Sequence, residues 1–242
     1  MNTLAKLIIS SILAMLMLSC NFDLNFDTGI VGNGEVMTEE RNLNAEFTAI
    51  EASRGLDVYI TQSGNYGLSV EADENLHDII VTEVENGILK ITTTDNIRSS
   101  KSQKVMVNAS ILDFIKATSG SDVYSEGIIK GSQLKLEASS GADLDVEVHT
   151  EDLTCSSSSG SDINVRGKTT KLNAKASSGS DINAKNLMAE YSKVEANSGA
   201  DITVHSSREL TANANSGGDV RYYGNPEKVN KSDGVSGSIR KY

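Results

Sequence analysis

The residues best equipped for chemistry are carboxylates in a fixed setting. Asp57, Asp122, Asp143, Asp162, Asp181, Asp201 and Asp219 each stand two positions after a glycine and one before an aliphatic residue, as in SSGSDI at 158–163. If the segments that carry them stack, neighbouring carboxylates lie roughly 4.8 Å apart. Hard oxygen ligands at that spacing suit a divalent cation such as Ca²⁺, with Asp122, Asp143, Asp162, Asp181, Asp201 and Asp219 as the column that would hold it. The other reading is structural: a corner carboxylate whose oxygens satisfy turn amides. Repulsion between two such charges is about 1 kcal/mol in a water-like dielectric, so ions are permitted but not required.

Two residues further along, Tyr124, Asp145, Asn164 and Asn183 form a second outward column, a candidate binding surface. Tyr59, Tyr222 and Tyr223 could extend it as a small sticky patch, or pack the end segments. Catalytic readings fare worse. His77, His149 and His205 are scattered, with no nucleophile motif or metal-ligand spacing around them. Cys155 falls in a column otherwise held by Ile, Leu, Ala and Val, so it reads as a buried small hydrophobe. The chain is expected not to be an enzyme and to need no cofactor, Ca²⁺ being the one ion left open.

What positions these residues is a repeat. From Gly120 the motif glycines recur at 141, 160, 179, 199 and 217, spacings of 21, 19, 19, 20 and 18 residues. Five residues before each motif glycine stand Ile50, Ile115, Leu136, Cys155, Ala174, Val194 and Ala212. Three after it stand Val58, Val123, Leu144, Ile163, Ile182, Ile202 and Val220. Alternation of this kind is the mark of half-buried strands, and a period near 20 means stacked units. The sequence therefore predicts an all-β fold, a parallel β-helix or β-solenoid of 19–20-residue repeats, each unit a strand, a Ser-Gly corner and a second strand.

Between Gly55 and Gly120 the period lapses for 65 residues, and Asn86-Gly87 between two β-rich runs signals a hairpin. The expected organisation is a signal peptide over 1–19, a tether over 20–41, a larger N-terminal β region with a hairpin insertion over 42–112, the repeat solenoid over 113–224, and a cap over 225–242. Gly237 lacks the following aspartate, as a degenerate last rung would.

The chain opens MNTLAKLIISSILAMLMLSC, an early lysine, an apolar run and a small residue before Cys20. That is a secretory signal, and Leu16-Met17-Leu18-Ser19-Cys20 resembles the lipobox of bacterial lipoproteins. The resemblance implies cleavage before Cys20 and lipid attachment to it, hence a membrane partner through an N-terminal anchor. Asn21 in place of a retention signal favours the outer membrane of the cell envelope, on either its surface or its periplasmic side. With Cys20 lipidated, Cys155 has no disulfide partner. The formal charge of −11, one unit more negative once Lys6 leaves with the signal, argues against nucleic acid and anionic lipid as partners.

A lipobox, G-N-G-E at 32–35, FTAIEASRGLDVYITQSG at 47–64, VEADENL at 70–76, NGILKI at 86–91 and the S-G-x-D repeats together resemble the head GIN domain family of putative auto-transporter adhesins. The resemblance spans about residues 30–240 and implies a β-helix-like fold and an envelope location, with no catalytic residues to carry over. The function expected is a non-enzymatic envelope lipoprotein, an adhesin or ligand-binding scaffold with an envelope, glycan or host-protein ligand. The alternatives are a periplasmic accessory lipoprotein and a Ca²⁺-dependent carbohydrate-binding or carbohydrate-active β-helix.

Overall fold

A computed structural model describes residues 29–242; the signal sequence, Cys20 and residues 20–28 of the tether lie outside the described residues. The N-terminal portion holds β1 (Ile30–Val31), β2 (Val36–Glu40), β3 (Ala49–Ala52), β4 (Asp57–Gln62), β5 (Gly67–Asp73), β6 (Ile80–Glu85), β7 (Ile88–Thr93), β8 (Ile97–Ser99) and β9 (Gln103–Ala109). The repeats follow as β10 (Phe114–Thr118), β11 (Asp122–Ser139), β12 (Asp143–Ser158), β13 (Asp162–Ser177), β14 (Asp181–Asn197) and β15 (Asp201–Asn215), then β16 (Asp219–Tyr223), β17 (Lys228–Asp233) and β18 (Ser238–Lys241). They wind into an all-β solenoid of about 7 turns with a spacing near 19 residues.

Each rung has an outgoing arm after its Ser-Gly corner and a returning arm before the next. Aligned columns match the alternation read from the sequence: Val58, Val123, Leu144, Ile163, Ile182, Ile202 and Val220 are successive partners along the outgoing arms, all buried. On the returning arms Ile50, Ile115, Leu136, Cys155, Ala174, Val194 and Ala212 do the same. Each large aliphatic side chain so buried is worth about 1.5–3 kcal/mol. The irregular spacing is absorbed away from the Ser-Gly corner: register shifts fall after Tyr124, Asn164 and Ala184, with a further one between Ala189 and Tyr191, so that corner stays aligned.

The 65-residue gap closes onto the solenoid in an unexpected order. β7 and β9 form a rung of their own, parallel to β3 and β4, on the side away from β10 and β11. The rung made first in the chain is thus sandwiched between two made later. Outside it, β6 pairs antiparallel with β7 through Asn86 (φ 52°) and Gly87 (φ 78°), and β5 and then β2 add antiparallel to β9. Part of the stretch read as tether is therefore strand, because Val36–Glu40 supplies the backbone partners that the edge of β5 would otherwise lack.

The G-N-G-E and D-E-N-L motifs dock on each other. The buried Asp73 carboxylate accepts from the amides of Gly34 (2.9 Å), Lys101 (3.0 Å) and Ser102 (3.1 Å), and a Cβ on Gly32 would lie 2.0 Å from Asp73 Oδ2. Both motifs thus serve as an N-terminal clamp. At the opposite end, β17 pairs with β15 and β18 with β16, but Lys231 and Asp233 occupy positions held by Ala212 and Ala214 one rung earlier. Charges in inward columns discourage a further strand from adding.

Candidate functional site: the outward face of the outgoing arms

The corner that presents this face takes two left-handed residues in a row. In the rung of Asp162 these are Ser159 (φ 58°) and Gly160 (φ 69°), and the same pair recurs from Ser119-Gly120 to Ser216-Gly217. The conformation needs φ above zero at two successive positions, as a type I′ turn does. The ladder runs through it: Gly141 N–H donates to Ser159 O, and Gly160 N–H to Ser178 O, both at 3.2 Å. The residue after the glycine is fully buried, and where it is serine its hydroxyl closes the turn. Ser161 Oγ accepts from Ser158 N–H (3.1 Å) and donates to Ser158 O (2.9 Å), and Ser121 and Ser180 accept in the same way. Turn closure thus falls to this serine and not to the aspartate.

The aspartates point outward, and all seven are in register, from Asp57 beside Lys104 through to Asp219 beside Ser238. One carboxylate bonds along the axis: Asp162 N–H, which also donates to Ala142 O, reaches Asp143 Oδ1 at 3.2 Å. Burial, reinforced by neighbouring aspartates, pushes the Asp122 and Asp162 carboxyls up; burial also raises Asp57, against the pull of Lys104. Among the described residues no group of three or more His, Cys, Asp or Glu side chains is arranged to hold a metal ion.

The second column runs from Tyr59 through Tyr124, Asp145, Asn164, Asn183 and Thr203 to Arg221. Tyr59 and Tyr124 stack at 5.2 Å. Asp145 is tied to Arg166, which also reaches Glu147 at 3.3 Å. Asn164 and Asn183 are partners in register, yet Asn183 Oδ1 accepts from Lys185 N–H at 3.3 Å instead of building an amide ladder. At the C-terminal end the face hollows into a cleft of about 310 Å³ around Asp181, Asn183, Lys185, Asp201, Arg221 and Tyr223. Arg221 bridges Asp201 (3.0 Å) and Asp219 (3.8 Å), and Lys185 lies over the Tyr223 ring at 4.5 Å. Lys185 and Arg221 escaped the sequence reading; the period-2 count from the glycine puts Arg221 in the column of Asn183, and Lys185 two residues beyond Asn183.

Residues set aside earlier take other places. Cys155 is fully buried and its thiol is pushed up to about 12 by burial. His77 is buried between Arg41 and the carbonyls of Met37 and Ala72, whereas His149 and His205 lie in an outward column beyond the outgoing arm.

Fold and face define a β-solenoid with a long, regularly patterned polar surface. The chain belongs to the family described as "Putative auto-transporter adhesin, head GIN domain", which matches residues 46–226. Its fold is shared with three crystal structures. A putative adhesin from Bacteroides fragilis is 22% identical, covers 88% of this chain and 100% of its own, and superposes with a TM-score of 0.82. A putative lipid binding protein from Parabacteroides distasonis (24% identical, 88% and 99% covered, TM-score 0.71) and a putative adhesin from Parabacteroides merdae (20% identical, 89% and 100% covered, TM-score 0.72) share it too. No curated protein matches the sequence.

Proposed function

We propose that this chain is a non-enzymatic envelope lipoprotein, anchored through Cys20, whose solenoid displays a ligand-capturing face for adhesion. The observation that carries the reading is the in-register outward face of the outgoing arms: seven aspartates and the Tyr124, Asp145, Asn164 and Asn183 column, repeated over consecutive rungs and ending in a cleft. Membership of an adhesin family supports it. In this reading the aspartate column is scaffold, Asp143 accepting from the next rung's amide and the column's charge tolerated by solvent, and Ca²⁺ is not needed.

Protease shaving of intact cells, followed by blotting, tests the display. Digestion of the protein while a periplasmic control survives is the expected result. Full protection until lysis would replace adhesion with the periplasmic accessory role. Cys20→Ser, with loss of the protein from the membrane fraction, tests the anchor.

A further inference from the structure

The returning arms carry a second concavity, on different side chains from the face just described. A groove of about 430 Å³ crosses β12, β13, β14 and β15, with Lys171, Tyr191 and Glu209 in one outward column and Asn173, Lys193 and Thr211 in the next. It follows the solenoid axis across four rungs, roughly 14 Å.

Its charges are self-neutralised. Asp152 pairs with Lys171 at 3.4 Å, and Glu209 is held by Lys228 at 2.7 Å and by Asn230 Nδ2 at 3.3 Å. In a chain of net charge −11 the groove thus offers two acids against two lysines, so it selects neither polyanion nor polycation. Its polar groups recur at the rung spacing: Thr154, Asn173, Lys193 and Thr211 succeed one another in register. Asn173 Oδ1 is buried and accepts no hydrogen bond, and the residue lines the groove. Tyr191 is 39% exposed and lies beside Arg208, which is paired with Glu190 at 3.0 Å. A half-exposed ring beside hydroxyl and amide groups recurring about every 5 Å matches a chain molecule with apolar C–H faces and hydroxyls at regular intervals.

We infer that this groove is a binding site for a neutral, linear oligosaccharide lying along the solenoid axis. The inference rests on the reading of the chain as a ligand-capturing scaffold and adds a second ligand contact on the returning arms.

The test is calorimetric titration of the full mature chain with neutral gluco-, manno-, xylo- and galacto-oligosaccharides, alongside adhesion of cells expressing it. The expected result is binding by at least one of them that weakens about tenfold or more in Tyr191→Ala and measurably in Asn173→Ala, with unchanged melting, and that survives Glu85→Ala in the N-terminal hairpin, outside both surfaces. Binding lost in Asn183→Ala but kept in Tyr191→Ala would overturn the groove and leave the proposed face standing. Failure of every oligosaccharide while cells still adhere would overturn the ligand class alone; failure of both would remove the scaffold reading too.

Discussion

The backbone amide of Asp162 donates to the carboxylate of Asp143 one rung away, at 3.2 Å. That contact partly solvates one acid of a row of like charges, and the repulsion that remains along the row is a cost carried by the fold.

Removing one charge from the row should therefore stabilise the protein. Burial first, then Asp181 and Asp143, hold the Asp162 carboxyl above its ordinary value. A raised acid contributes stability that is complete below the unfolded-state value near 3.9 and is lost as pH rises through the folded-state value. Asp162→Asn should thus melt higher than the parent at neutral pH, by up to about 1 kcal/mol per relieved neighbour before salt screening. The difference should shrink in acid and in high salt. Millimolar Ca²⁺ should leave parental melting unchanged; a rise abolished by the Asp162→Asn, Asp181→Asn double variant would make the row an ion site instead.

Asp73 has the opposite sign. Burial pushes its carboxyl up, but the amides of Gly34, Ser102 and Lys101 and the charge of Lys101 outweigh it, so the net shift is downward. Its contribution is present above the unfolded-state value near 3.9 and disappears as pH falls through the lower folded-state one. Asp73→Asn should lower the melting temperature at pH 7 and flatten the acid limb of the stability curve, read by circular dichroism.

Ser192 interrupts a leucine column. Its register partners are Leu172 and Leu210, with Leu153 beyond, and its buried hydroxyl makes no hydrogen bond. Ser192→Leu should stabilise by about 1–3 kcal/mol in chemical denaturation, by adding apolar burial and removing an orphaned polar group.

Two glycines should respond very differently to alanine. Gly160, in the Ser-Gly motif, has φ 69° and open space around a Cβ, so Gly160→Ala meets only backbone strain of about 1 kcal/mol. At Gly167, φ is 110° and a Cβ would lie 2.1 Å from the Val148 carbonyl oxygen. Gly167→Ala should be the more damaging change, visible as a larger loss of melting temperature.

Cys155 should be silent towards thiol reagents in the native protein. With its thiol fully buried and pushed up to about 12, labelling should occur only after unfolding, and reaction without denaturant would contradict the packing.

The repeats were legible because two local signals agree in every rung: alternation with period 2, and a Ser-Gly pair whose turn tolerates few other residues. The inward columns, the outward aspartates and the Asn86-Gly87 hairpin follow from those signals alone. Gly167 was not legible, since its demand comes from a carbonyl one rung away and no motif surrounds it. Nor was the docking of Asn33 and Gly34 on Asp73 and Asn75, because the two motifs lie some 40 residues apart and only the closed fold brings them together. Tyr191 and Asn173 were overlooked because attention to the glycine corner favours the arm that follows it, while the returning arm carries an equally regular face.

The sandwiching of β3 and β4 between β7/β9 and β10/β11 sets the order in which the molecule can be completed. A chain that emerges amino end first presents β3 and β4 before either flanking rung exists, and their first flanking rung, β7 with β9, is complete only at Ala109. Up to that point there is no template to build upon. After it, each added turn needs only the next 20 or so residues to settle on a finished edge, a local step of low contact order. Assembly should be slow to begin and quick to finish, with residues 29–109 as the segment that must be present whole before winding can start.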